Sequence, residues 1–339
     1  EGVEAARGMA LDFGRTEVFY GYDENNIANG LPLEVFGLRQ DFAFPTVYAK
    51  QARARKFQAE AARNQYDSDR RDYIRALSLR YSSFTITQEK VRIYTRLDSL
   101  YRAFARAADR RFELGATNYL EKVTARSQEQ QTRIRLQQAM ARETGLRSEI
   151  QSLVQAEDSL VLKGGRPFRF DLSLPNPDSL PGLRLLESER EALKYQRQAA
   201  QHNLLPDLSL EYFRGNNENV PSAFEGYSLG LRIPLFFNGQ AARIKSSRLA
   251  EVSKSSEVQD YRTRLKARLD QLMASLRQKE TALRYYEEEG NTLAQAILKA
   301  AEAGYKNGEI DFFQYIQSLE NGAEIRLEFL EALESYNQT

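Results

Sequence analysis

Two segments of the chain alternate apolar and polar residues with a period of two, the pattern of a β-strand with one apolar face. The apolar positions are Phe36, Leu38, Phe42 and Phe44 in the first segment, and Tyr227, Leu229, Leu231, Ile233 and Leu235 in the second. A polar loop rich in turn-forming residues precedes each segment, and a further strand-like stretch precedes each loop. The sequence therefore predicts two strand pairs.

These strand pairs belong to an internal repeat. The sequence FGLRQDFAF, which begins at Phe36, recurs 193 residues later as LGLRIPLFF. The same shift carries Gly115 onto Gly308. Because each copy of a repeat is one structural unit, the chain is expected to contain two units of the same design.

A very long helix is predicted after each strand pair. The 69 residues from Thr46 to Leu114 contain no Gly or Pro, and a helix of that length reaches roughly 100 Å. Such a helix must lie against other long helices, because no single globular core could bury it. Gly115 is expected to end it, and Thr117 or Asn118 to cap the next helix. In the second copy the pattern is interrupted only at Gly290, and Asp311 is a candidate cap after Gly308.

The order of these elements predicts the domain organisation. The segments are a first strand pair (8–45), a first long helical hairpin (46–155), an irregular linker (156–182), a helix (183–205), a second strand pair (206–237) and a second long helical hairpin (238–339). A helix precedes the second strand pair but not the first. We therefore expect that part of the first unit is missing and that the chain has been processed or excised.

Composition excludes several classes of function. The 48 Lys and Arg residues nearly balance 47 Asp and Glu residues and are interleaved with them, whereas nucleic-acid binding requires a basic patch. The chain has no cysteine, so disulfides and thiolate metal sites are impossible. No apolar run approaches the roughly 18 residues of a transmembrane helix. The single histidine, His202, lies in a polar setting, so neither an enzyme nor a cofactor or metal site is predicted.

Two motifs resemble those of the TolC-type outer membrane efflux proteins. One is the strand-to-helix junction LGLRIPLFFNG at Leu229–Gly239, followed by Arg243 and Lys245, and the other is the turn GYKNG at Gly304–Gly308. The resemblance covers nearly the whole chain. It implies a mainly α fold with membrane β-structure: long helical hairpins forming an α-barrel, and four strands per protomer in a trimeric, twelve-stranded β-barrel. The residues themselves agree, because four strands cannot close a barrel and would leave open edges in lipid.

The alternation assigns the faces of the expected barrel. The residues predicted to face lipid include Phe36, Leu38, Phe42, Leu229, Leu231 and Ile233. Arg39 and Arg232, equivalent under the repeat, are predicted to face the lumen. Two interpretations of these arginines are open: a lumenal ring of positive charge that favours anions or is salt-bridged, or simple pairing with Asp41 or Glu211.

The resemblance also assigns the far ends of the helical hairpins. Gly115 and Gly308 are expected to end helices in the left-handed conformation, and in the family these turns are where the periplasmic adaptor docks. Tyr305 matches the family's aromatic residue before the glycine. The family's acidic constriction falls on Gln314 and Gln317, which are neutral. Together with Asp311, these residues are the predicted periplasmic gate, although N-capping is an alternative role for Asp311.

The resemblance implies a function without a reaction. The chain is expected to be a passive efflux duct in the outer membrane of a Gram-negative bacterium, extending into the periplasm. An adaptor protein would couple it to an inner-membrane pump of the resistance-nodulation-division (RND) type. The stretch Phe42–Tyr48 is similar to members that serve heavy-metal pumps. The alternative from another class is a soluble periplasmic coiled-coil adaptor or scaffold, which would not require detergent.

Overall fold

The computed structural model describes residues 14–24, 32–156, 161–172, 176–217, 222–234 and 238–339. The strands are β1 (Glu17–Asp23), β2 (Leu33–Phe42), β3 (Asp207–Asn217) and β4 (Phe224–Arg232). The helices are α1 (Pro45–Glu113), α2 (Tyr119–Leu153), α3 (Pro181–His202), α4 (Asn238–Tyr285), α5 (Asn291–Asn307) and α6 (Phe312–Asn337). The fold predicted from the sequence, long helical hairpins with four strands, is confirmed. These elements form two compact units, residues 1–69 with 175–266 and residues 70–174 with 267–339.

The four strands form one antiparallel sheet in chain order. The central pair, β2 and β3, joins the two copies of the repeat, with Phe42 opposite Leu208 and Gly37 opposite Phe213. Within the described residues β1 and β4 each pair with one neighbour only. In the described sheet the outer sides of β1 and β4 are therefore edges, and an edge strand can pair with a strand of another chain.

Glycines in the sheet make room for aromatic rings from neighbouring strands. Phe19 lies over Gly37, where an added Cβ atom would sit 2.3 Å from the ring and 2.9 Å from the carbonyl oxygen of Tyr212. The same relation holds between Phe213 and Gly226 and between Phe224 and Gly215. Glycine normally weakens a strand, and its use here reflects this close approach.

Apolar seams hold the helices of the second unit together. One cluster contains Ile86 and Ile93 from α1, Leu283 from α4, and Leu330 and Leu333 from α6. A second cluster contains Tyr101, Phe104, Ala108, Ala125, Phe312, Ile316 and Leu319. Each helix thus buries one stripe of its surface, as expected for helices that pack side by side. None of the described helices is apolar over a length sufficient to cross a membrane.

A π-helical turn at Tyr286–Gly290 separates α4 from α5. Gly290 is buried, and an added Cβ atom would lie 3.0 Å from Tyr286 and 3.5 Å from Ile325. The sequence pattern identified Gly290 as the point of interruption but not the kind of turn. Since π-turns insert one extra residue into a helix, this turn changes which residues of α5 face α6.

The linker that follows α2 is fastened to the end of α6 by Asn337. The side-chain nitrogen of Asn337 donates hydrogen bonds to Ser82 Oγ and to the carbonyl oxygen of Phe168, both at 2.8 Å. Its Oδ1 accepts a hydrogen bond from the backbone N–H of Phe170 at 3.1 Å. Arg169 adds a hydrogen bond to Glu280 at 2.7 Å and lies 4.4 Å from the centre of the Tyr336 ring. One buried asparagine therefore joins α1, the linker and α6.

Replacing Asn337 with alanine is expected to loosen the linker and destabilise the second unit by about 1–3 kcal/mol, because three hydrogen-bonding groups lose their partner. The measurement is the rate of tryptic cleavage after Lys163, Arg166 or Arg169, together with the thermal midpoint of the helical circular dichroism signal. The neighbouring substitution Gln338→Ala is the control, with an expected effect within about 0.5 kcal/mol. Equal cleavage rates in the two variants would show that Asn337 does not hold the linker.

Candidate functional site

One face of the sheet is mostly apolar on all four strands, and its polar members include Glu34, Gln40, Arg214 and Glu225. Cross-strand partners lie on the same face, and the register places the following side chains together: Val18, Tyr20 and Tyr22 from β1, Phe36 and Leu38 from β2, Leu208, Leu210 and Tyr212 from β3, and Tyr227, Leu229 and Leu231 from β4. All of them are exposed, and Leu229 is 86% exposed. Phe42 lies opposite Leu208, and Ile233, 60% exposed, follows β4. The described residues leave this face uncovered, which marks it as an interaction surface.

The opposite face carries the two arginines predicted to be lumenal, and both are paired within the sheet. Arg39 Nε donates a hydrogen bond to Glu211 at 2.9 Å, and its guanidinium lies 3.4 Å from Glu17. Arg232 forms an ion pair with Asp41 at 2.6 Å. Glu211 and Asp41, the two partners considered from the sequence, therefore pair with Arg39 and Arg232, respectively. This cancellation of charge removes support for an anion-selective ring made by Arg39 and Arg232.

The two predicted tip glycines end their helices in the same way. Gly115 and Gly308 have φ values of 69° and 75°. The residue after each glycine donates a backbone hydrogen bond to the preceding helix. The N–H of Ala116 donates to the carbonyl oxygen of Arg111 at 2.7 Å, and the N–H of Glu309 donates to that of Gly304 at 2.8 Å. These are the bonds of a Schellman turn, in which the left-handed residue is normally glycine. Both repeats therefore turn back on themselves by one mechanism.

The helices that follow these turns are capped at equivalent positions. Asn118 accepts a hydrogen bond from the N–H of Glu121 at 2.9 Å. Asp311 accepts one from the N–H of Gln314 at 2.8 Å, and Oε1 of Gln314 accepts one from the N–H of Asp311 at 3.1 Å. The second pair is a complete capping box. Two of the four predicted gate residues are thus committed to starting α6.

An aromatic cluster lies directly behind this capping box. The Tyr305 ring stacks on Tyr315 with the centroids 4.6 Å apart and an interplanar angle of 4°. The Phe104 ring is nearly perpendicular to the rings of Phe312 and Tyr315, with centroid distances of 4.8 and 5.5 Å. Burial, followed by the nearby charge of Glu302, raises the pKa of the Tyr315 hydroxyl above its ordinary value. Tyr305 is 40% exposed and covers the cluster.

The structure brings the predicted gate residues together around one turn. Tyr305 precedes Gly308, Asp311 and Gln314 form the capping box, and Gln317 is exposed one turn further along α6. Sequence reasoning missed Tyr315, the stacking partner of Tyr305, and Phe104. Nothing in the sequence near α1 relates Phe104 to this turn, because the contact depends on how α1 and α6 pack.

The described residues form no candidate metal site. Within the described ranges, no three His, Asp or Glu side chains come together as metal ligands. His202 forms a hydrogen bond with Thr46, with its Nδ1 2.6 Å from Thr46 Oγ1. This bond joins the end of α3 to the start of α1.

Several solved outer membrane channels have similar structures. The MtrE outer membrane channel of Neisseria gonorrhoeae matches with a TM-score of 0.76 and 12% identity over 99% of this chain and 82% of that chain. The CmeC outer membrane channel of Campylobacter jejuni matches with a TM-score of 0.72 and 15% identity over 99% and 78%. The outer membrane protein VceC of Vibrio cholerae matches with a TM-score of 0.73 and 11% identity over 99% and 88%.

At the level of sequence, no protein-family model and no curated protein matches the chain. The structural matches extend over its whole length, and those named are membrane channels or outer membrane proteins, which agrees with the resemblance noted in the sequence. The chain has the fold of the TolC-type outer membrane channels.

Proposed function

We propose that the chain forms a trimeric outer membrane channel, the passive exit duct of a tripartite efflux system. The observation that carries this proposal is the uncovered apolar face of a four-stranded sheet with open edges, in a chain with the fold of outer membrane channels. The fold supports assembly into a channel, and the exposed apolar face supports contact of the sheet with membrane lipid.

The dimensions of the sheet fit a membrane-spanning wall. Strands β2, β3 and β4 have 10, 11 and 9 residues, whereas the edge strand β1 has 7. A tilted strand needs about 9–11 residues to cross the hydrocarbon core, so three of the four strands have the required length. Single-chain barrels have about eight strands or more, so one chain is too small. Three copies would supply twelve strands and would pair the edge of β1 with the edge of β4 of a neighbour, leaving no unpaired backbone group in lipid.

The two faces of the sheet then acquire different roles. Phe36, Leu38, Phe42, Leu229, Leu231 and Ile233 would contact lipid. Arg39 and Arg232, each with its carboxylate partner, would face the lumen. A lumen lined by paired charges is polar without strong charge selectivity, which suits an exit duct that releases varied cargo.

The glycine turns would form the periplasmic end of the duct. Gly115 and Gly308 present exposed backbone on two turns of the same geometry, so one adaptor surface could dock on both repeats. Tyr305, Asp311, Gln314 and Gln317 would form the gate beside these docking turns. An inner-membrane pump of the RND type, coupled through the adaptor, would supply the energy.

The similarity of Phe42–Tyr48 to members serving heavy-metal pumps motivates a more specific proposal, that the cargo includes heavy-metal ions. The described residues contain no ligand cluster that would hold such an ion in transit, so cargo would pass without binding. A deletion strain should be more sensitive to heavy-metal salts. Unchanged metal sensitivity, with increased sensitivity to organic toxicants, would refute the metal proposal alone.

Channel formation is tested by purification and electrical recording. The protein is expected to require detergent, to have the mass of three chains by light scattering, and to conduct ions when added to a planar bilayer. The physical reason is that three sheets must join edge to edge before their apolar faces can be buried in lipid. A monomer that remains dispersed without detergent and does not conduct would favour the soluble scaffold instead.

A further inference from the structure

Positive charge is concentrated where the helices adjoin the sheet. The helical segments 45–59, 192–202 and 238–250 contain no Asp or Glu. They contain nine Lys and Arg residues, called here the basic collar: Lys50, Arg53, Arg55, Lys56, Lys194, Arg197, Arg243, Lys245 and Arg248. The whole chain carries a net charge of only +1. The collar is therefore a local excess in an otherwise balanced molecule, and the interleaving of charges expected from the sequence does not hold in these three segments.

All three segments are helix ends next to strands, in the same compact unit as the sheet. Helix α1 begins at Pro45 just after β2, α4 begins at Asn238 after β4, and α3 ends at His202 before β3. At 1.5 Å per residue, the collar cations lie about 8–17 Å along each helix from its strand-proximal end. They thus occupy one zone that borders the apolar sheet.

Only part of this charge is paired with carboxylates of the described residues. Lys194 pairs with Glu191 at 2.9 Å and Arg197 with Glu251 at 2.5 Å, both with carboxylates outside the acid-free segments. The other seven collar residues form no ion pair with a carboxylate in the part of the chain that the structure describes. Five collar residues are exposed: Arg53, Lys56, Arg243, Lys245 and Arg248.

Three residues of the basic collar lie close to the aromatic ring of Tyr195. Lys50, Arg53 and Lys194 lie 5.8, 5.6 and 5.7 Å from the centre of the Tyr195 ring. That ring stacks on Phe57 with a centroid distance of 5.6 Å. A ring face attracts cations and offsets part of their mutual repulsion. The Tyr195 ring on α3 thus lies near cations of both α1 and α3.

We propose that the basic collar binds the anionic headgroups of phospholipids in the membrane leaflet that faces the helices. This inference rests on the proposed function, because it requires the apolar sheet to lie in a bilayer. A headgroup layer extends about 5–8 Å beyond the hydrocarbon on each side, and surface charge acts over a further Debye length of about 8 Å. The collar occupies this zone, and long Lys and Arg side chains can reach towards the headgroups.

The test measures lipid selectivity of the trimer in phosphatidylcholine bilayers, using spin-labelled phosphatidylglycerol and phosphatidylcholine as probes. The fraction of each probe that is motionally restricted gives their relative affinity for the protein surface. At low salt, the native protein is expected to prefer phosphatidylglycerol by about threefold or more. The preference should disappear near 1 M salt, where the Debye length falls to about 3 Å.

Three matched variants locate the preference. R243Q/K245Q/R248Q removes three exposed collar cations from α4 and is expected to lower the preference at least twofold. R243K/K245R/R248K keeps the charge and should retain native selectivity, so a loss due only to altered packing would appear in both variants. R71Q/R75Q/R106Q removes three exposed arginines of α1 outside the collar and should also retain it.

Each outcome bears on a separate claim. Equal lipid selectivity in the native protein and in the R243Q/K245Q/R248Q variant overturns the inference. A changed anion-to-cation permeability without a change in lipid selectivity also overturns it, because it places the collar in the lumen. A protein that inserts and conducts but shows no lipid preference refutes the collar alone. A protein that neither inserts nor conducts refutes the proposed function and the collar with it.

Discussion

Replacing Leu229 with arginine is expected to prevent stable insertion into the outer membrane. Leu229 lies in the middle of β4, is 86% exposed and stands opposite Leu210 on the apolar face. An arginine on the lipid side near the bilayer midplane costs about 2–4 kcal/mol, and a trimer incurs that cost three times. The measurement is the fraction of the protein recovered in outer membranes and its trimer content in mild detergent.

The adjacent residue provides the control. Ser228 is also exposed but lies on the other face, opposite Glu211. Ser228→Arg introduces the same side chain next to a carboxylate in the proposed lumen, so this variant should insert like the native protein. If both variants insert equally well, the apolar face does not contact lipid. If Ser228→Arg is the variant that fails, the assignment of the two faces is reversed.

The sequence was sufficient to predict features that depend on neighbouring residues. Alternation alone places Phe36 and Leu38 on one face of a strand, since side chains of a strand point to opposite sides in turn. Gly115 and Gly308 were recognised because a helix that ends in a left-handed residue normally uses glycine. The repeat then showed that both hairpins share one design, and the structure reproduces it in the paired Schellman turns.

Contacts between distant segments could not be predicted in the same way. The sequence left two partners open for Arg39, and only the pairing of β2 with β3 places Glu211 beside it. Likewise, Asn337 contacts the linker and Tyr195 gathers collar cations only because of how particular helices pack. Hydrophobic burial depends on area rather than direction, so the sequence pattern showed that the helices pack but not which residues meet.

Substitutions at Asp311 distinguish two ways in which the proposed gate could work. The Asp311 side chain caps α6 through the N–H of Gln314 at 2.8 Å, and the next residue, Phe312, packs into the aromatic cluster. Asp311→Ala removes the cap, which costs about 0.5–2 kcal/mol, and frees the first turn of α6. We expect a severalfold increase in single-channel conductance in planar bilayers. Asp311→Ser keeps a capping oxygen but not the charge, and should conduct like the native channel.

A second acidic residue on the same turn makes the comparison decisive. Glu309 is exposed and lies outside the capping box, so Glu309→Ala removes a nearby charge without uncapping α6 and should leave conductance unchanged. Tyr305→Ala removes the ring stacked on Tyr315 and should raise conductance, because that ring covers the end of the cluster. If Asp311→Ser conducts as strongly as Asp311→Ala, the gate depends on charge and the capping explanation is wrong. If Tyr305→Ala and Asp311→Ala both conduct like the native protein, the constriction lies elsewhere along the duct.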